Sequence, residues 1–174
     1  MDLTRTIVIG NSGSGKSWLA ERIANNLGAP WVDLDLIHWE PSGYNIARSC
    51  EHAIALTKDA AASNSWVIEG IYGWLVREAE PNATALVWLC LDEAECVANI
   101  RNRGVRRGGD EDSFNALLNW AETYRTREGS SSYSAQEMIF DDFSGAKRCL
   151  RHMSEVTMFA NFRAPFILKE RPLR

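Results

Sequence analysis

An α/β fold built on a mostly parallel sheet is the architecture this sequence predicts, on three observations. Short β-branched or apolar runs alternate with stretches of helical spacing along the chain. One run, Ala85-Leu86-Val87-Trp88-Leu89-Cys90-Leu91, is apolar throughout, as a parallel-sheet strand covered on both faces must be. The first run, Thr6-Ile7-Val8-Ile9, opens into a glycine- and serine-rich loop that leads directly into a helical pattern.

Each element follows in order. Trp18, Leu19, Ile23, Ala24 and Leu27 mark the first helix, stopped by Gly28 at the cap position and by Pro30. Trp31-Val32-Asp33-Leu34-Asp35 alternates as a second strand, so Asp33 and Asp35 are expected on one face. Ile46 to Ser63 carries an apolar stripe and predicts a helix, leading through Ser63-Asn64-Ser65 into a third strand, Trp66-Val67-Ile68. Ala85 to Leu91 is the fourth strand, and Asp92 caps a helix with Ala94, Val97 and Ile100 inward. Phe114, Leu117, Leu118, Ala121 and Tyr124 define another helix, Gly129 to Ser132 a break, and Gln136 to Phe143 a further short helix. Arg148-Cys149-Leu150 reads as a short fifth strand, and Ser154 as the cap of a last helix reaching about Ala160.

The 174 residues hold 19 Lys and Arg against 23 Asp and Glu, a net charge of −4 with 45% hydrophobic content. That composition suits one globular domain and supplies no basic field for nucleic acid. The seven-residue run at Ala85–Leu91 is far short of the roughly 20 apolar residues of a membrane-spanning helix. The first five residues show no leader pattern, so a cytoplasmic location is expected. Four scattered cysteines form no CxxC pair and are expected to be reduced and mostly buried. Most of the seven tryptophans are expected in the core, with Trp39 and Trp74 as candidate walls for a planar substrate.

Gly10-Asn11-Ser12-Gly13-Ser14-Gly15-Lys16-Ser17 satisfies G-x-x-x-x-G-K-[ST] between a strand and a helix. Its backbone N–H groups and the helix N-terminus suit phosphate, Lys16 reaches the outer phosphates, and the Ser17 hydroxyl suits Mg²⁺. A nucleoside triphosphate is the expected ligand, with ATP favoured. The glycine spacing does not fit a dinucleotide fingerprint.

Open α/β sheets place ligands at the carboxyl ends of their strands. There, one of Asp33 and Asp35 is positioned to hold Mg²⁺ through water and the other to orient or deprotonate an acceptor hydroxyl. Glu69 ends the third strand beside Gly70 and Gly73, which leave room for a ligand; His38 follows Asp35 by three residues as a candidate substrate contact. Arg101, Arg103, Arg106 and Arg107, followed by Gly108 and Gly109, form an arginine-rich segment suited to closing over a transferred phosphoryl group.

With Leu34-Asp35-Leu36-Ile37-His38-Trp39 and Trp66-Val67-Ile68-Glu69-Gly70-Ile71-Tyr72 added to the loop, the chain resembles the adenylate-kinase-like and shikimate-kinase-like P-loop kinases over about residues 5 to 160. It is similar in particular to small bacterial adenylate-kinase-like proteins, some labelled DNA topology modulation protein. The resemblance implies a P-loop NTPase three-layer fold with a five-stranded parallel sheet in order 2-3-1-4-5. It implies a single domain, 1–174, with an arginine-rich lid inserted at about 101–130. It also implies that Asp33 serves the metal and Asp35 the acceptor, and that Arg103 and Arg107 act on the phosphates; from their positions alone, Glu69 is expected in a Mg²⁺-shell or water-positioning role and, with Gly70 and His38, on the acceptor side. Adenylate kinases carry Asp-Gly-Phe-Pro-Arg where this chain has Glu69-Gly70-Ile71-Tyr72-Gly73, so the acceptor stays open.

The expected function is transfer of the γ-phosphoryl group of Mg-ATP to a hydroxyl or phosphate of a small-molecule acceptor, by a monomer or homodimer with no membrane or nucleic-acid partner. The competing expectation is a regulatory nucleotide switch with slow hydrolysis and a macromolecular partner.

Overall fold

The computed structural model describes residues 1–41, 46–105 and 110–161. Five strands, β1 (Arg5–Gly10), β2 (Trp31–Asp33), β3 (Trp66–Gly70), β4 (Ala85–Leu89) and β5 (Ala146–Leu150), form one sheet in the order β2-β3-β1-β4-β5, every neighbouring pair parallel. The helices are α1 (Lys16–Leu27), α2 (Leu34–His38), α3 (Cys50–Ala61), α4 (Gly73–Ala79), α5 (Glu93–Arg103), α6 (Glu111–Glu122), α7 (Tyr133–Asp142) and α8 (Met153–Ala160). This is the P-loop NTPase α/β fold, in the strand order expected from the resemblance.

Period-two alternation in the strands divides the core between the two faces. Ile7, Ile9, Trp66, Ile68, Leu86 and Trp88 face α3, α4 and α7, where Ala53, Leu75, Val76, Ile139 and Phe143 close over them. Val8, Val67, Ala85, Val87 and Leu89 face Leu19, Ala20, Ile23 and Ala24 of α1 and Val156 and Ala160 of α8. A third, smaller cluster joins Val97 and Ile100 of α5 to Ala121 of α6. Among the described residues no helix is long and apolar enough to cross a membrane.

Several elements differ from the sequence expectation, each for a local reason. β2 stops at Asp33, whose carboxylate accepts from the Asp35 N–H (2.9 Å) and caps α2. Asp35 therefore stands in the first turn of a helix, and the expected shared strand face does not exist. α3 starts at Cys50, because the Ser49 Oγ accepts from the His52 N–H and so fixes the cap, leaving Ile46 exposed before it. β4 ends at Leu89, although the Cys90 N–H still donates to the Leu150 carbonyl (2.8 Å). β5 begins earlier, at Ala146, its first three residues exposed as on an unprotected sheet edge. His152 rather than Ser154 caps α8, with the Glu155 carboxylate accepting from the Arg151 and His152 N–H groups.

Of the tryptophans, Trp66 and Trp88 are buried and Trp18 and Trp74 pack partly buried against the core clusters, while Trp31 on the edge strand and Trp120 on α6 are about two-fifths exposed. Cys90 and Cys96 are buried, Cys149 is half-buried and Cys50 is exposed.

Leu86, fully buried in β4, and Leu36, 65% exposed on α2, give opposite expectations. Leu86→Ala is expected to lower unfolding free energy by about 2–5 kcal/mol, and Leu36→Ala to change it by no more than about 0.5 kcal/mol. Urea denaturation of the two variants checks both.

Candidate functional site

The loop between β1 and α1 bends where side chains cannot follow. At Gly13, φ is +80° and a Cβ would lie 2.2 Å from the Cys96 carbonyl oxygen, so both conformation and space demand glycine. Side-chain amides from two helices brace the bend. Asn11, fully buried, donates through Nδ2 to the Ala121 carbonyl at the end of α6 (2.8 Å) while its Oδ1 accepts from the Ser12 N–H (2.8 Å). Asn99 on α5 donates through Nδ2 to the Gly13 carbonyl (3.0 Å). Lys16 lies back across the loop, its Nζ donating to the Asn11 carbonyl (3.2 Å). No side chain caps the N-terminus of α1, so its leading N–H groups are left to an external acceptor.

Carboxylates gather beside this loop at the carboxyl ends of β2 and β3. Glu69 is 2% exposed and pairs in register with Asp33 across the two strands. Its carboxylate accepts from the Ser17 hydroxyl, while Oε1 is buried and has no hydrogen-bond partner. Burial pushes the Glu69 carboxyl up to about 7 against the pull of Lys16, and the negative charges of Asp33 and Asp35 push the same way. Glu69 thus feels the charges of both Lys16 and Asp35.

Around Asp35 lies an aromatic wall. The Tyr72 hydroxyl accepts from the Trp39 indole N–H (3.0 Å) and makes its other hydrogen bond to Asp35. Burial, reinforced by Asp35, holds the Tyr72 phenol far above its ordinary value, so it stays a neutral donor. His38 stacks on Tyr72 with ring centroids 4.3 Å apart, and meets Trp39 and Trp74 edge-on at 4.5 and 6.1 Å. Its Nδ1 is buried without a partner, and burial lowers the imidazole's pKa although Asp35 opposes the shift.

The structure therefore brings Lys16, Ser17, Asp33, Asp35, His38 and Glu69 to the carboxyl edge of the sheet, together with the loop residues Gly10 to Gly15. Gly70 has a different role from the one expected. A Cβ there would lie 2.6 Å from the Leu34 Cβ, and one at Gly73 would lie 2.2 Å from the Ser130 carbonyl, so both spaces are taken by the protein's own chain rather than by a ligand. Arg103 stands exposed at the end of α5; Arg106 and Arg107 lie outside the described residues. Among the described residues, no group of three or more His, Cys, Asp or Glu side chains is placed to hold a metal ion.

Sequence reasoning missed two contributors. Tyr72 was visible only as part of a motif, with nothing in its spacing to show that its hydroxyl would orient Asp35. Asn99 gives no signal at all, since an amide on an exposed helix turn is the ordinary case and its target is 86 residues away.

Tyr72→Phe keeps the ring but deletes the hydroxyl shared by Trp39 and Asp35. It is expected to cost about 1–2 kcal/mol in a denaturation experiment.

The family model of the ATPase family associated with various cellular activities (AAA) matches residues 6–150. No curated protein matches the sequence. In structure the chain is similar to a gluconokinase from Sinorhizobium meliloti 1021, at 20% identity and TM-score 0.54, the match covering 92% of this chain and 91% of that one. It is also similar to the shikimate kinase from Bacteroides thetaiotaomicron, at 16% identity and TM-score 0.53, covering 90% and 94%.

Proposed function

We propose that this chain, which belongs to the ATPase family associated with various cellular activities (AAA), is a kinase that transfers the γ-phosphoryl group of Mg-ATP to a small-molecule acceptor. The observation that carries the reading is the buried Glu69, which pairs in register with Asp33 and feels the charges of both Lys16 and Asp35. In this reading the braced phosphate loop and the Asp35 carboxylate, held by the Tyr72 hydroxyl, act together across it. The full-length likeness in fold to a gluconokinase and a shikimate kinase supports it, as does the sequence resemblance to small adenylate-kinase-like proteins.

In this reading the N–H groups of Gly10, Asn11, Ser12, Gly13, Ser14 and Gly15 receive the phosphates and Lys16 turns from the Asn11 carbonyl to the outer phosphate oxygens. The hard oxygen donors at the loop's edge fit Mg²⁺: the exposed Ser17 hydroxyl, the Glu69 carboxylate bonded to it, and Asp33 beside Glu69. When bound, the ion neutralises charge on the phosphates. Asp35, oriented by Tyr72, accepts the proton of the acceptor hydroxyl as its oxygen bonds to phosphorus and the bond from phosphorus to the β-phosphate oxygen breaks. His38 contacts the acceptor from the aromatic wall. Arg103, with Arg107 from the segment between α5 and α6, offsets the charge that builds on the transferred group.

The test is ADP formation from Mg-ATP with pools of nucleosides, nucleoside monophosphates, sugars and hydroxy acids. One pool is expected to stimulate turnover, with a loss of at least about 100-fold in Lys16→Ala and in Asp35→Ala. Slow turnover indifferent to every pool would remove the kinase reading and leave a nucleotide switch.

A further inference from the structure

Cys90 and Cys149 are brought together by the pairing of β4 with β5. The register sets Trp88 opposite Cys149, and the Cys90 N–H continues the ladder to the Leu150 carbonyl (2.8 Å). Side chains two residues apart on a strand share a face, so the Cys90 thiol lies diagonally next to that of Cys149. The two are in hydrogen-bond contact. A guanidinium faces them: Arg125 Nη2 stands 3.9 Å from the Cys90 sulfur, and Arg125 is itself held by Glu93 and lies over the Tyr133 ring at 4.9 Å. The Tyr133 hydroxyl also reaches the Cys90 sulfur.

None of these groups is among the phosphate-loop or Asp35-side residues described above. We propose that Cys90 and Cys149 are a hydroperoxide-reactive dithiol, in which Cys90 is the attacking sulfur and Cys149 the resolving one. Two thiols that share one proton, beside a guanidinium and a phenolic O–H, hold one sulfur as thiolate. The hydrogen bond from Cys149, with help from Tyr133 and Arg125, draws the Cys90 thiol down to about 6, while the same contact and burial hold the Cys149 thiol well above its ordinary value. Cys96 lies at the other extreme, its thiol pushed up to about 12 by burial although Lys16 and Asn11 pull the other way.

The step balances with a hydroperoxide as oxidant. The Cys90 thiolate attacks the terminal oxygen, the O–O bond breaks, and the alcohol or water formed leaves with a proton from solvent, giving a sulfenic acid on Cys90. The Cys149 sulfur then bonds to the Cys90 sulfur, the S–O bond breaks, and the departing hydroxide takes the Cys149 proton as water. Both sulfurs are oxidised and one peroxide bond is reduced. Cys90 is 3% exposed and Cys149 half-buried on the edge strand, so the oxidant this dithiol would take is a small peroxide rather than a protein partner.

The experiment treats the full chain with hydrogen peroxide near neutral pH, quenches with an alkylating agent under denaturing conditions, and maps the peptides. The expected result is a disulfide between Cys90 and Cys149, formed at least about ten times faster than oxidation of the exposed Cys50. In Cys149→Ser the product on Cys90 stops at a sulfenic acid that dimedone traps. Arg125→Gln, which leaves both sulfurs in place, slows the reaction several-fold near neutral pH, and the deficit shrinks as pH rises. Oxidation of Cys50 while Cys90 and Cys149 remain alkylatable overturns the proposal, as does a Cys90 product that is the same with and without Cys149.

Discussion

The loop after β1 must pass where no side chain fits, and the rest of the molecule is arranged to hold it there. At Gly13 the backbone runs against the Cys96 carbonyl of α5, and at Gly10 a Cβ would lie 2.6 Å from the Leu89 carbonyl of β4. Such a bend is costly in chain entropy and exposes backbone N–H groups. It persists because Asn11 and Asn99 tie it to α6 and α5, whose apolar contacts through Val97, Ile100 and Ala121 keep those helices in place. The central position of β1 between β3 and β4 then aims the loop at the carboxyl edge, where β2 and β3 deliver their acids.

A second tension sits beside the first. Glu69, Asp33 and Asp35 place three carboxylates at the carboxyl edge with Lys16 as the cation that acts on Glu69, and burial drives Glu69 toward its neutral form. An arrangement of this kind favours positive charge nearby. The aromatic side of the cleft works differently. Tyr72 bonds Trp39 and Asp35 at once, so the orientation of one carboxylate is set by the packing of rings rather than by its own backbone.

Much of this was legible in the sequence because it is carried by local pattern. The loop is eight contiguous residues, the apolar strand Ala85–Leu91 announces a sheet covered on both faces, and Gly28 marks the end of α1 by its own geometry. What was not legible depends on contacts remote in sequence. Asp33 alternates convincingly with Asp35, yet its carboxylate finds the Asp35 N–H and turns the strand into a helix. Gly70 reads as an opening for ligand until Leu34 is seen to fill it. Scattered cysteines read as reduced, mostly buried thiols, because only the β4–β5 register brings Cys149 near Cys90.

The central claim is that the loop's phosphates and the Asp35 carboxylate face one another across a single cleft. The most direct measurement is a crystal structure with Mg²⁺ and an ATP analogue whose terminal bridge cannot be cleaved. The account predicts the β-phosphate inside the Gly10–Ser17 loop, Lys16 released from the Asn11 carbonyl, and the terminal phosphate directed toward Asp35 and the Tyr72 wall. A terminal phosphate turned away from Asp35, or a triphosphate bound outside the loop, would contradict it.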